Sequence, residues 1–382
     1  MTIYVDVSAA VHSKAGLSRY ASSLVRALDP LLGERLGLFQ NGLGARAPLE
    51  GFSDRTVGVP YGYKPWRAMV LASQGLCVRL IRHLPDAELF HATEHLLPTV
   101  GRVPTVLTVH DLIFQRYPQY HKRANYMYLR AAMPLFCRRA SAVIAISDST
   151  RRDLIELYGL PEDKITVIAE AAAPAFTPQS PERIQDVRTR YGLPERYVLA
   201  LGTLEPRKNL SRLIDASGPL IERGIIDALV LVGARGWLVD EFDQHLASSR
   251  WRERVIQPGF VAEEDLPALY AGAVLTAQPS LYEGFGLPVL EAMASGCPVC
   301  SSSASSLPEV GGDASRYFDP HDVDDMADVL LQVAADDAVR QQMREAGLAR
   351  ARTFSWARTA RETAALYEKV IAEHGRARRP GA

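Results

Sequence analysis

The chain has 382 residues, of which 47% are hydrophobic and 23% charged, with a formal net charge of -1. It is long enough for two domains of ordinary size, its composition is that of a globular soluble protein, and it carries no global field for nucleic acid. No apolar run approaches the roughly 20 residues that span a bilayer.

The opening "MTIYVDVSAA" lacks the basic stretch and long apolar core of a signal peptide and reads as a first strand, "IYVDV" (3–7). The loop "SAAVHSKAGLSRY" (8–20) follows, with Gly16 just before a helix expected from near Ser18. Gly16 is the only glycine there, so the GxGxxG dinucleotide fingerprint is missing and a nicotinamide dehydrogenase is disfavoured.

"PWRAMVLASQGLCVRLIRHL" (65–84) reads as one helix with Trp66, Met69, Val70, Leu76, Cys77, Leu80, Ile81 and Leu84 near one face. Arg67, Arg79 and Arg82 flank that face, and "HKRANYMYLR" (121–130) adds more base. Residues 1–175 hold 20 Lys/Arg against 15 Asp/Glu, a balance of +5. Two readings fit: helices lying on an anionic membrane surface, or ordinary surface helices with solvated charge.

His91, Glu94 and His95 end a short strand in "LFHATEHLLP", but HEXXH is absent and zinc protease chemistry is unsupported. "TVLTVHD" (105–111) places His110 and Asp111 at the exit of an apolar strand, either as a site or as caps of the next turn. "SAVIAIS" (141–147) and "KITVI" (164–168) are further buried strands. Between them, Asp148 and Ser149 are the expected N-caps of "TRRDLIELYG".

"APAFTPQSPERIQ" (173–185) is linker chemistry. The strand–helix alternation restarts with "YVLALG" (197–202), "DALVLVG" (227–233), "RVIQPGFV" (254–261) and "AVLTAQPS" (273–280). The pattern is α/β: two Rossmann-like domains facing each other across a cleft, over 1–180 and 190–355. In such sheets ligands meet the carboxyl ends of the strands.

Two loops in the second half stand at those ends. In "LALGTLEPRKNLSRLIDA" (199–216), Arg207 and Lys208 precede a helix opening at Asn209 or Ser211. This is a diphosphate site or an exposed basic helix start. In "PSLYEGFGLPVLEAMASGCPV" (279–299), Glu283 lies in a loop whose Gly284 and Gly286 expose backbone amides. Pro288 suits a first helical turn, and Glu291 follows in that helix. Carboxylates beside amides suit sugar hydroxyls, which donate and accept. Cys297 and Cys300 form a CxxC with no second pair or histidine cluster, so metal or redox chemistry is disfavoured.

Glu283-x7-Glu291 resembles the signature of the retaining glycosyltransferases of family 4, which have the GT-B fold. "AGLSRYASSLVRAL", "TVHDLIF", "VIAISDSTRRDLI", "GTLEPRKNL", "QPGFV" and "SSLPEVGGDASRYFDP" match in the family's order. "FSWARTARETAALYEKV" (354–370) resembles its closing helix, which over 356–373 is expected to cross back to the N-terminal domain.

The resemblance implies roles. Arg207 and Lys208 hold the donor diphosphate, with Gly16 contacting it, and Glu291 takes the ribose hydroxyls. Glu283, the amides of Gly284, Phe285 and Gly286, and neighbouring Leu287 hold the transferred sugar, which His110 also contacts. Val261 borders the base. No metal and no cofactor are implied. The implied mechanism is front-face attack with retention, the leaving phosphate taking the acceptor proton. Where many relatives have Gly-Ile-Gly, this chain has Gly16-Leu17-Ser18, and Thr203 replaces a basic residue of some relatives. "EPRKNL" and "HDLIF" resemble the mannosyltransferase-like branch, so GDP-mannose is the expected donor. The expected acceptor is a saccharide or lipid-linked saccharide, and the expected place is the cytoplasm, with peripheral contact at the inner face of the membrane. The alternatives are a nucleotide-sugar epimerase of the same fold, which needs no acceptor, and an inactive scaffold subunit, which binds no nucleotide.

Overall fold

The computed structural model describes residues 1–12, 15–42 and 48–377, which form two compact units. Unit 1 comprises Met1–Arg116, Arg123–Glu170 and Trp356–Ala382; unit 2 comprises Tyr117–Lys122 and Ala171–Ser355.

Unit 1 is built on seven strands: β1 Thr2–Asp6, β2 Leu36–Asn41, β3 Thr56–Val59, β4 Ala87–Ala92, β5 Thr105–Val109, β6 Ala142–Ala145 and β7 Ile165–Val167. They run parallel in the order β3-β2-β1-β4-β5-β6-β7. The interior strand β5, "TVLTV", is buried at every residue, as expected where helices cover both faces. The core is large and aromatic, with Phe39, Trp66, Phe90 and Phe136 at 1% exposure or less.

Helix Trp356–Ala377 belongs to this unit and is tied to its sheet through a polar chain. The hydroxyl of the fully buried Tyr367 lies 2.6 Å from His91 Nδ1. His91 Nε2 is 2.7 Å from Thr108 Oγ1, and Thr108 meets the Tyr20 hydroxyl at 3.1 Å. Burial, and then the charge of His110, pull His91 down to about 3, so this imidazole is a neutral connector.

Unit 2 repeats the plan with β8 Tyr197–Leu201, β9 Ala228–Val232, β10 Val255–Ile256, β11 Leu275–Gln278, β12 Val299–Ser302 and β13 Ser315–Phe318. All are parallel, in the order β10-β9-β8-β11-β12-β13. Its core is aliphatic, from Val198, Leu213, Leu229 and Leu275 to Phe318 and Leu330. The short segment Tyr117–Lys122 packs here, where Trp237 Nε1 donates to Tyr120 O at 2.6 Å.

Several local expectations are corrected. The helix expected over 65–84 is Tyr63–Leu76, ending where Cys77 turns left-handed at φ 55°. Ile81 and Leu84 are buried from outside that helix, so their helical spacing was coincidental, and Arg79 and Arg82 are not on it. Ser147, rather than Asp148 or Ser149, caps the following helix, its Oγ accepting from Thr150 N at 3.1 Å. "RVIQPGFV" yields only the two-residue β10. Helix Pro181–Tyr191 starts inside the expected linker, capped by Ser180 with Pro181 in its first turn.

Candidate active site

In unit 2 the strand order reverses between β8 and β11, and the loops leaving those strands carry the charged residues. That reversal is where an open parallel sheet leaves a crevice at its carboxyl edge. The β8 loop is drawn tightly against its neighbour. Gly202 takes φ 152°, and a Cβ there would stand 3.2 Å from Lys208 Nζ, so the backbone leaves room for the lysine. A short turn, Pro206–Lys208, then passes to helix Leu210–Ala216. Asn209 opens that helix, as expected, at φ 58° and with no side-chain cap bond; its Nδ2 donates instead to Pro279 O at 3.0 Å and Pro320 O at 2.7 Å. Leu281 N donates to Arg207 O at 2.8 Å, stitching the two loops together.

Glu283 is the focus of this stitch. Its Oε1 accepts from Lys208 Nζ at 2.5 Å, Ser280 Oγ at 2.7 Å and Gln278 Nε2 at 2.9 Å. Its Oε2 accepts from Arg207 Nη1 at 2.7 Å, while Arg207 Nε reaches Glu205 Oε1 at 2.6 Å. Two cations thus meet two carboxylates, and Lys208, Glu205 and Glu283 are all buried. Burial alone would push the Glu283 carboxyl up, but the Arg207 and Lys208 charges outweigh it and bring it down to about 2. Burial pulls Lys208 below the usual lysine value, with Arg207 alongside acting the same way and Glu283 opposing. The direction that governs the pair is that of Glu283, because two cations act on one carboxylate: it is ionised at neutral pH.

The rest of the loop is held by two serines. Glu283 N donates to Ser305 Oγ at 2.8 Å, and Ser306 Oγ donates to Glu283 O at 2.9 Å and Phe285 O at 2.7 Å. The amide of Glu283 is therefore occupied by protein. Gly286 takes φ 119°, where a Cβ would meet Leu307 Cδ2 at 2.8 Å; only glycine fits. Helix Leu287–Ala294 then starts with Pro288 in its first turn, as the sequence predicts. Glu291, 2% exposed, takes a hydrogen bond from the Tyr270 hydroxyl at 3.1 Å. Gly284 and Leu287 are half-buried; Phe285 and Val261 are buried.

In unit 1, His110 leaves the end of β5 and is 7% exposed. Its Nε2 lies 2.9 Å from Thr93 O and its Nδ1 3.2 Å from Glu170 Oε1. Tyr20 stands at a right angle to the ring with centroids 4.7 Å apart. Burial opposes the charged form of His110, but the Glu170 hydrogen bond and charge prevail and raise it above the ordinary histidine value. Gly16 is exposed and lies within helix Ala15–Leu32, not ahead of it; residues 13 and 14 of its loop lie outside the described residues.

The structure therefore brings Arg207, Lys208 and Glu283 into direct contact, and places Gly284, Phe285, Gly286, Leu287 and Glu291 on the loop and helix that follow. Sequence reasoning missed Glu205, Gln278, Ser280, Ser305 and Ser306. Gln278 and Ser280 carried a signal, since alternate residues at a strand exit share a face. Glu170 and Tyr270 were also missed, and their pairing depends on neighbours distant in sequence. Among the described residues no group of three His, Cys, Asp or Glu side chains is arranged to hold a metal ion, and no helix is long and apolar enough to cross a membrane.

Residues 15–172 match the family model "Glycosyltransferase Family 4" and residues 184–350 match "Glycosyl transferases group 1". The chain is 36% identical over 290 residues to the O-antigen chain mannosyltransferase B of Escherichia coli, covering 75% of this chain and 74% of that protein. The chain belongs to glycosyltransferase family 4. The serotype-specific mannosyltransferase WbdA of Escherichia coli is 37% identical over 228 residues, 58% of this chain and 28% of WbdA. Among solved structures, the sucrose-phosphate synthase of Thermosynechococcus elongatus superposes with a TM-score of 0.77 at 20% identity, covering 98% of this chain and all of that one, which places the transferase in the same GT-B fold. The enzyme's ordered motifs and its β8–β11 constellation thus belong to a glycosyltransferase.

Proposed function

We propose that this glycosyltransferase moves mannose from GDP-mannose to a hydroxyl of a saccharide or lipid-linked saccharide, with retention and without a metal. The observation that carries this reading is the pair of adjacent cations, Arg207 and Lys208, set at the strand-order reversal of unit 2 and bonded to Glu283. A diphosphate can take the place of a carboxylate on such cations, because both present anionic oxygens that accept charge-assisted hydrogen bonds from Arg and Lys. Glu283, as a carboxylate, then orients sugar hydroxyls as an acceptor of hydrogen bonds rather than as an acid. Glu291 accepts from the nucleotide ribose. The amides of Phe285 and Gly286, at a loop that only glycine can close, orient the sugar. The two cations offset charge developing on the leaving diphosphate, and its oxygen takes the acceptor proton.

Mannose is favoured by the likeness to the O-antigen mannosyltransferase over three quarters of the chain, and GDP by the mannosyltransferase-like "EPRKNL" and "HDLIF". A lipid-linked acceptor and peripheral membrane contact are favoured by the exposed Leu76, Val78 and Met127 among basic residues of the first half.

One assay tests the reading. GDP-, UDP-, dTDP- and ADP-linked sugars are offered with a manno-oligosaccharide in EDTA, with and without anionic vesicles, and the product anomer is read by NMR. The expected result is an α-mannoside from GDP-mannose, faster on vesicles. A β-product removes retention, and transfer from another donor alone removes GDP-mannose. Inhibition by EDTA removes metal independence, and indifference to vesicles removes membrane contact. Sugar isomerised without acceptor replaces transfer by epimerisation.

A further inference from the structure

With Glu170 present as a carboxylate, His110 has no neutral form that suits its surroundings. A neutral imidazole keeps a lone pair on one ring nitrogen. Here one nitrogen faces the carbonyl of Thr93, which cannot donate, and the other faces the carboxylate of Glu170. A ring protonated at both nitrogens satisfies both acceptors. Glu170 sits three residues beyond β7 with a side chain only 5% exposed, and among the described residues the imidazole is its only ionic partner. The other groups around the ring do not remove the need for that proton. Tyr20 presents a ring whose hydroxyl is taken by Thr108, His91 is neutral, and the His95 ring centroid is 6.2 Å away. Asp111 adds negative charge from the next residue, and Glu94 lies in the loop that carries Thr93.

We propose that Glu170 is a positioning residue that holds His110 as a fixed imidazolium, so that His110 acts through its positive charge and not as the base that takes the acceptor proton. This deepens the transferase reading, on which its role in turnover rests; the charge state itself does not depend on that reading. Both N–H groups of that imidazolium are taken by Thr93 and Glu170, so the ring presents positive charge and no lone pair to whatever binds beside it.

The test combines two measurements on the whole protein and on Glu170→Gln, which keeps an acceptor of the same size without its charge. Ring-nitrogen NMR of histidine-labelled protein, with His110 assigned by a His110→Asn spectrum, is followed from about pH 6 to about pH 8, the range of ordinary histidines. The expected result is a His110 ring protonated at both nitrogens across that range in the native protein. In Glu170→Gln it titrates at or below the ordinary value of about 6.5. Turnover with donor and acceptor is then expected to fall about tenfold at one pH unit above the variant's own titration point, where about one ring in ten is protonated, and to recover on acidification.

A native ring carrying a lone pair on either nitrogen at neutral pH overturns the proposal. So does a Glu170→Gln rate that is depressed equally at every pH, which is the mark of a merely structural role. If the variant does not fold, the native titration alone decides the charge. If the native enzyme turns over no nucleotide sugar at any pH while its NMR shows the imidazolium, the transferase reading fails and the pair stands.

Discussion

Two buried carboxylates, Glu283 in unit 2 and Glu170 in unit 1, are built into their surroundings in opposite ways. Glu283 is surrounded by donors: Lys208, Arg207, Ser280 and Gln278. Among the described residues Glu170 has a single ionic partner, His110, and works by changing that partner. In the first pair the cations depress the carboxylate, and in the second the carboxylate raises the cation. The same ion-pair chemistry therefore yields different devices. Around Glu283 the cations can be shared with an incoming diphosphate, because two neutral donors still hold the carboxylate. Around His110 nothing is to spare, and the charge is fixed in place.

Lys208 carries the largest expected effect. Lys208→Ala removes one cation from both the carboxylate and the diphosphate. It is expected to lower kcat/KM for donor by about a thousandfold, a loss of about 4 kcal/mol of transition-state stabilisation. Steady-state kinetics check it; a fall under tenfold would mean that Arg207 alone carries the diphosphate.

Glu283→Gln separates the roles next. Without the competing charge, GDP is expected to bind about tenfold tighter by calorimetry, since each factor of ten is about 1.4 kcal/mol, while turnover falls. Weaker GDP binding would make Glu283 an organiser of the cations and not their competitor. The acid leg of stability is the second readout. A carboxyl pulled from 4.5 to about 2 stabilises the fold above 4.5, and that contribution is lost as pH falls from 4.5 toward 2. It is worth at most about 3 kcal/mol, reduced by the burial cost that pulls Lys208 down. Urea unfolding is expected to find the variant weaker at neutral pH and equal to the native protein at the acid end. The His110 pair has the opposite sign. Its contribution is complete below the ordinary histidine value and is lost as pH rises through the raised one.

The same contrast explains what sequence could foretell. Arg207, Lys208, Glu283 and Gly286 lie in loops leaving obvious strands, with turn chemistry that advertises itself. The alternation of strand and helix gave both sheets for the same local reason. Glu170 stands in "VIAEAAAP", where no local pattern marks it. Its meeting with His110 follows from β5, β6 and β7 lying side by side, a fact of tertiary order. The helix expected over 65–84 failed because apolar spacing does not see a chain reversal. Cys77 in a left-handed conformation ends the helix, and Ile81 and Leu84 are buried by a non-helical segment. The cap at Ser147 was missed by one residue because three successive capping residues, Ser147, Asp148 and Ser149, compete there.

The smallest expected effect is at Ser280, and it tests whether neutral donors matter to the carboxylate beside two cations. Ser280 Oγ donates to Glu283 Oε1 at 2.7 Å and accepts from Gln278 Nε2 at 2.9 Å, and the residue is fully buried. Ser280→Ala deletes one hydrogen bond, leaves both ion pairs, and is expected to cost about 1 kcal/mol of stability. Turnover is expected to fall only severalfold, because Gln278 still donates directly to the same oxygen at 2.9 Å. Thermal unfolding and donor kinetics read the two effects separately. A loss matching that of Lys208→Ala would mean that the hydroxyl, and not the cations, holds Glu283 in position. The carboxylate could then not exchange its cations with a diphosphate without losing its own place. In that case Glu283 and Glu170 would be alike after all, each dependent on one partner.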